Sequence, residues 1–150
     1  YVIHDYTKPL HKNIKHSKLS ITNKSEDKPY TLLASRSYAS SVPLQAFVKR
    51  LEELSPVNVG HMGSSLKMCL IAEGKADLYP RYGGTCEWDT SAAEVILVEA
   101  GGGILSLPQH QPIKYNKPRE DFENPHVIAF GEKREEYFDR DYVDKCRLEN

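Results

Sequence analysis

Two short runs place side chains suited to phosphate or metal chemistry at the starts of helices. The first is Gly63-Ser64-Ser65-Leu66-Lys67. A glycine lets a ligand approach the main chain, serine hydroxyls and free amides donate to phosphate oxygens, and Lys67 adds positive charge. On spacing alone such a run is more often an ordinary helix cap than a phosphate site, and both readings stay open. It is not a P-loop, because no glycine precedes Gly63 by five positions and Lys67 is followed by Met68. The second run is Trp88-Asp89-Thr90-Ser91-Ala92-Ala93, an acidic side chain at the start of an apolar helix. The helix dipole favours a carboxylate there by about 0.3 to 1 kcal/mol, so an N-cap role accounts for Asp89. The same carboxylate can face magnesium, which prefers oxygen ligands. A single carboxylate does not build a two-metal centre, and no second acidic cluster in the chain joins it.

These runs sit between segments that read as alternating strands and helices. Thr31 to Ser35 forms a short buried strand, and Pro43 to Leu54 a helix with Leu44, Phe47, Val48, Leu51 and Leu54 on one face. Val57 to His61 is the next strand, and Gly63 to Glu73 the next helix, opened by its serines and closed by Gly74. Ala76 to Tyr82 alternates like an exposed edge strand. Trp88 to Ala100 is a helix stopped by Gly101 to Gly103, and Ile104 to Leu107 and His126 to Gly131 are strands. His11 to Pro29 reads as a surface loop with a short hairpin. This order predicts a mixed α/β sheet with helices on at least one face.

A chain of 150 residues buries a core without disulfides or structural metal. Its net charge of -1 provides no global field for gripping nucleic acid or an acidic membrane, so any anion is held by a local site. Cys69, Cys86 and Cys146 lie far apart, with no Cys-x-x-Cys pair, and read as reduced thiols. The apolar runs fall well short of the roughly 20 residues of a membrane span, and no signal-peptide pattern is present; the expectation is a cytoplasmic protein. The strand-like opening Tyr1-Val2-Ile3 suggests a piece of something longer. The six histidines are scattered and read as surface or satisfied core groups, Trp88 as a packed anchor at a helix start, and Cys69 as a core thiol.

The run from Gly63 to Arg81 (GSSLKMCLIAEGKADLYPR), then Glu87 to Ala93 (EWDTSAA) and Val98 to Gly102 (VEAGG), is similar to the C-terminal signature of bisphosphate nucleotidases. These belong among the inositol-monophosphatase-like phosphatases, and the pattern is most like that of their bacterial sulfur-assimilation branch. The likeness spans Thr31 to Phe130 and is tightest from Gly63 to Gly103.

That resemblance implies the C-terminal, mixed-sheet α/β subdomain of a five-layer αβαβα sugar-phosphatase-like sandwich over residues 1–131, with a charged tail, readable as a solvated helix, over 132–150. It implies a magnesium-dependent phosphomonoesterase that removes the 3′-phosphate of adenosine 3′,5′-bisphosphate to leave AMP. Asp89 falls on the family's tryptophan-aspartate position and so resembles a Mg2+ ligand close to substrate. Gly63 and Lys67 fall on substrate-contacting positions, with Ser64 and Ser65 as neighbours and Arg81 placed to steer a phosphate. Ser35-Arg36-Ser37-Tyr38 matches a strand-end segment near the nucleotide that often reads Ser-Arg-Ser-His; Tyr38 stands for the histidine and can stack or donate a hydrogen bond. The family's upstream glutamate and Asp-Pro-x-Asp-Gly-Thr segment do not occur in these residues. The resemblance therefore implies the N-terminal half of the same enzyme as partner, no catalytic residue within this chain, and little activity for the chain alone. Inositol or fructose phosphates are the sister substrates, and a non-catalytic nucleotide-phosphate binding module is the rival from another class.

Overall fold

The computed structural model describes residues 18–21, 28–118 and 121–138, apart from the side chains of Tyr38 and Glu136. The elements are β1 (Tyr30–Ala34), α1 (Val42–Glu52), β2 (Val57–His61), α2 (Leu66–Ala72), β3 (Leu78–Arg81), α3 (Glu87–Glu99), β4 (Gly103–Leu107) and β5 (His126–Phe130). Short 3-10 turns follow β1 at Arg36–Tyr38 and β5 at Glu135–Phe138.

The strands form a five-stranded mixed sheet in the order β2-β1-β3-β5-β4. β1 runs parallel to β2 and β3, whereas β5 pairs antiparallel with β3 and β4. Alternation along the strands divides the core between two faces. Tyr30, Leu32 and Ala34 of β1, with Ile128 and Phe130 of β5, meet Leu44, Phe47 and Leu51 of α1. Leu33, Val127 and Ala129 point the other way, to Met68 and Ile71 of α2 and Ala93 and Leu97 of α3. The described residues thus make three layers: α1, the sheet, and the α2–α3 pair. Burying each fully enclosed Leu or Ile contributes roughly 1.5 to 3 kcal/mol.

Three expectations are corrected. β3 is central in the sheet and not an exposed edge, with Leu78, Tyr79 and Pro80 all buried. Pro80 carries no N–H, which points to an edge. β1 pairs with β3 only at Leu32 opposite Leu78, so Pro80 lies beyond that ladder and faces Ile128 of β5. The second correction concerns the tail. Tyr137 is 3% exposed and packs edge-on to Tyr30, so the segment after β5 begins against the core; residues 139–150 lie outside the described parts. Trp88 is the third: it is 67% exposed among the described residues, its ring edge-on to Phe122 at 5.7 Å, so it is no packed anchor there.

Of the expected loop and hairpin from His11 to Pro29, residues 11–17 and 22–27 lie outside the described parts. Ile21 is tied down, its amide donating to the Ala100 carbonyl at 3.3 Å.

Candidate functional site

A cleft of about 760 Å³ opens where the C-terminal ends of the parallel strands β1, β2 and β3 turn into the segments that follow them. In open α/β sheets such strand ends are where ligands bind, because the chain leaves the sheet there with amides and side chains turned outward. The lining includes Ser35 after β1, Gly63, Ser64, Ser65 and Lys67 after β2, Arg81 at the end of β3, and Asp89 on α3. Seven of the eight sequence-predicted site residues therefore share one cavity. Tyr38 closes the turn after β1, and its side chain lies outside the described parts. Arg36, Lys67 and Arg81 face a single carboxylate in this lining, which favours an anion.

The turn from Met62 to Ser65 is held from beneath. Lys67 is 1% exposed. Its Nζ donates to the carbonyls of Met62 (3.0 Å) and Ser64 (2.9 Å) and lies 4.5 Å from the centroid of the Tyr79 ring. Burial, reinforced by the charge of Arg81, lowers its pKa to about 8. The serines do not cap α2 through their side chains, contrary to expectation: Ser65 makes no capping bond, and the Ser64 and Ser65 hydroxyls lie 3.4 Å apart. Ser64 adopts φ 63°, a left-handed conformation that costs a non-glycine residue energy. A Cβ added at Gly63 would meet nothing within 4 Å, so the main chain there faces open space.

Arg81 bridges two walls of the cleft. Its guanidinium donates to Ser35 Oγ at 3.0 Å and to the Gly84 carbonyl at 3.1 Å, which ties the end of β1 to the turn before α3. Tyr79, two residues earlier on the same face of β3, brings its hydroxyl within 3.4 Å of Ser35 Oγ. The sequence reading missed Tyr79; its period-two spacing from Arg81 was the available signal.

Asp89 occupies the third position of α3 and Cys86 the N-cap, so Asp89 is the returning arm of a capping box and not the cap itself. Its Oδ2 accepts the Cys86 N–H at 2.8 Å, while the Asp89 N–H donates to the Cys86 carbonyl at 2.9 Å. The carboxylate is exposed at the cleft. Among the described residues no group of three or more His, Cys, Asp or Glu side chains is placed to hold a metal ion. Asp89 thus fits one ligand of a magnesium site, and the described residues do not make the site by themselves.

A sequence model of the inositol monophosphatase family matches residues 7–137. The chain belongs to the inositol monophosphatase family. Within it, the 3′(2′),5′-bisphosphate nucleotidase CysQ of Escherichia coli K12 is 41% identical over 98 residues, which are 65% of this chain and 37% of that protein. A protein of Rhizobium leguminosarum bv. phaseoli, described as an uncharacterized protein in the pss 5′ region, is 48% identical over 75 residues, 47% of this chain and 78% of the other. The crystal structure of CysQ from Bacteroides thetaiotaomicron, a bacterial family member, superposes with a TM-score of 0.65 at 33% identity, covering 77% of this chain and 41% of that one. An inositol monophosphatase from Zymomonas mobilis shares the fold with a TM-score of 0.58 at 17% identity. The chain thus spans well under half the length of the CysQ relatives. The bisphosphate-nucleotidase likeness read from the motifs agrees with these findings, as does the mixed α/β sheet. No helix among the described residues is long and apolar enough to cross a membrane.

Beside the family motif, α3 carries a polar cluster that sequence reading did not find. Thr90 is buried; its Oγ1 accepts from Asn124 Nδ2 at 3.0 Å and lies 3.2 Å from the Tyr115 hydroxyl oxygen. The Tyr115 hydroxyl gives its one proton to Glu94 in a short hydrogen bond. Burial raises the pKa of both Tyr115 and Glu94. The partners lie 21 to 34 residues apart, and no local spacing reveals them.

Proposed function

We propose that this cleft is the nucleotide-binding wall of a magnesium-dependent phosphomonoesterase acting on the 3′-phosphate of adenosine 3′,5′-bisphosphate and leaving AMP. One observation carries the reading: Ser35, the Gly63–Ser65 turn, Arg81 and Asp89 line a single cationic cleft at the ends of three parallel strands. The 41% identity to CysQ supports the nucleotide over inositol or fructose phosphates. In this reading the Gly63 main chain and the Ser64 and Ser65 hydroxyls receive one phosphate, Arg81 steers it, and Tyr38 contacts the base or ribose. Lys67 contributes its charge from below while holding the turn. Asp89 would hold magnesium, which when bound neutralises phosphate oxygens and activates water. The remaining metal ligands come from the N-terminal half of the same enzyme, and the activity belongs to the complete protein.

Phosphate release from adenosine 3′,5′-bisphosphate with magnesium tests the proposal, measured on this chain and on any longer product of the same reading frame. Activity confined to the longer product is the expected result; faster turnover of inositol monophosphate would overturn the substrate. The lone carboxylate in the described cleft favours a second reading for the chain by itself, a nucleotide-phosphate binding module. Binding that is indifferent to magnesium and to Asp89→Asn supports that second reading.

A further inference from the structure

Asn124 stands just before β5 and is 5% exposed. Its Nδ2 lies 3.0 Å from the Cys86 carbonyl, 3.0 Å from Thr90 Oγ1 and 3.4 Å from Thr85 Oγ1. The main chain doubles this grip: Asn124 N donates to the Thr85 carbonyl at 2.6 Å, Glu87 N to the Phe122 carbonyl at 3.0 Å, and Cys86 bridges Glu123. The start of α3 is thereby sewn to the segment that leads into the sheet. The Cys86 carbonyl is the shared point, since it also accepts the Asp89 N–H, while the Cys86 N–H holds the Asp89 carboxylate.

The orientation of the Asn124 amide is fixed by chemistry. The Cys86 carbonyl is an acceptor only, so a flipped amide would set oxygen against oxygen. With the NH2 toward α3, Oδ1 is buried and finds no partner among the described residues. A buried acceptor left unpaired is a cost, which argues that the side chain is there for its donor and not for packing.

We propose that Asn124 is a positioning residue that fixes the Asp89 carboxylate by holding the Cys86 carbonyl on which the first turn of α3 hangs. Only its catalytic consequence rests on the phosphatase reading. Asn124→Asp places a carboxylate oxygen against the Cys86 carbonyl at nearly constant volume, and Asn124→Ala removes the donor without adding charge.

Amide hydrogen exchange on this chain, without metal or nucleotide, is the first test. In both variants exchange over residues 86–90 rises at least about tenfold while β4 and β5 stay within about twofold of wild type, as local opening predicts. No change at 86–90, a uniform rise through the sheet, or unfolding of both variants makes Asn124 a plain stability residue and overturns the proposal. In the complete protein, Asn124→Asp lowers kcat for magnesium-dependent phosphate release by about 10- to 100-fold, the usual effect of losing a group that orients a metal ligand, with KM for the nucleotide little changed. A variant with wild-type kcat overturns the positioning role. If the wild-type complete protein releases no phosphate, the phosphatase reading falls, and the exchange result still decides the role of Asn124.

Discussion

The Lys67 ammonium lies 2.9 Å from the carbonyl oxygen of Ser64, the residue whose left-handed backbone shapes the rim of the cleft. A buried cation three positions down the chain therefore stabilises the turn that a ligand would meet.

This pairing has a pH signature. The folded pKa of Lys67 is about 8, against 10.5 for the unperturbed side chain. Between these values the unfolded chain holds a proton that the folded chain has released, so Lys67 makes stability rise with pH from about 8 to about 10. Below pH 8 both states are charged and the desolvation cost is present in full. A neutral amine still donates to both carbonyls, so the turn stays held. Lys67→Met removes this rise and leaves the Met62 and Ser64 carbonyls without their donor, at a cost of roughly 1 to 3 kcal/mol. Urea midpoints of both proteins at pH 7 and 9.5 check this; parallel profiles would refute it.

Asp89→Asn separates capping from chemistry. The amide oxygen can still accept the Cys86 N–H, so only the charge at the start of α3 is lost, and stability falls by at most about 1 kcal/mol. On the proposed phosphatase reading, magnesium-dependent turnover in the complete protein is expected to fall by more than about 100-fold, because several kcal/mol of charge stabilisation would pass through the metal and each 1.4 kcal/mol is a factor of ten. Thermal melts and phosphate release, measured side by side, check the split. Loss of folding without a disproportionate loss of turnover would return Asp89 to a purely capping role.

Arg81→Lys tests the bridge across the cleft. The guanidinium reaches Ser35 Oγ and the Gly84 carbonyl from different nitrogens, and an ammonium on a flexible stem does not reproduce that fork. The expected outcome is nucleotide affinity about tenfold weaker, with a stability loss of about 1 kcal/mol. Calorimetric titration with adenosine 3′,5′-bisphosphate measures the first and denaturation the second; unchanged affinity would remove Arg81 from the site.

The legible parts of this site are those that local spacing encodes. Helical periodicity placed α1 and α3 within a residue or two of their ends, and the strand Val57–His61 was read to the residue. The turn after β2 carried its glycine and serines, and the end of β3 its arginine, in plain view. What stayed hidden depends on partners far along the chain. Pro80 argues for an edge until β5 is known to cover it. The inward turn of Lys67 needs the Tyr79 ring, and the grip of Asn124 on Cys86 spans 38 residues. The apolar run of α3 does not say which of its faces is covered: Ala93 and Leu97 pack in the core, while Trp88, Val95 and Val98 are at least half exposed among the described residues.

Glu94 supplies a prediction away from the cleft. Burial raises its pKa, and the hydrogen bond from Tyr115 offsets only part of that rise. A carboxylic acid with a raised folded pKa favours the fold while protonated. That contribution is complete below the unfolded pKa and is lost as pH rises through the folded one, so at neutral pH ionised Glu94 is a cost. Glu94→Gln keeps an acceptor for the Tyr115 hydroxyl and removes the charge. The variant is expected to be more stable than wild type at pH 7 by roughly 0.5 kcal/mol, the upper range for a partly exposed substitution, with the difference closing below about pH 4. Urea denaturation at pH 7 and pH 4 measures it. A variant less stable at pH 7 would mean that the charge-assisted bond to Tyr115 outweighs the desolvation of Glu94, and that the pair is a stabilising link between α3 and the segment before β5.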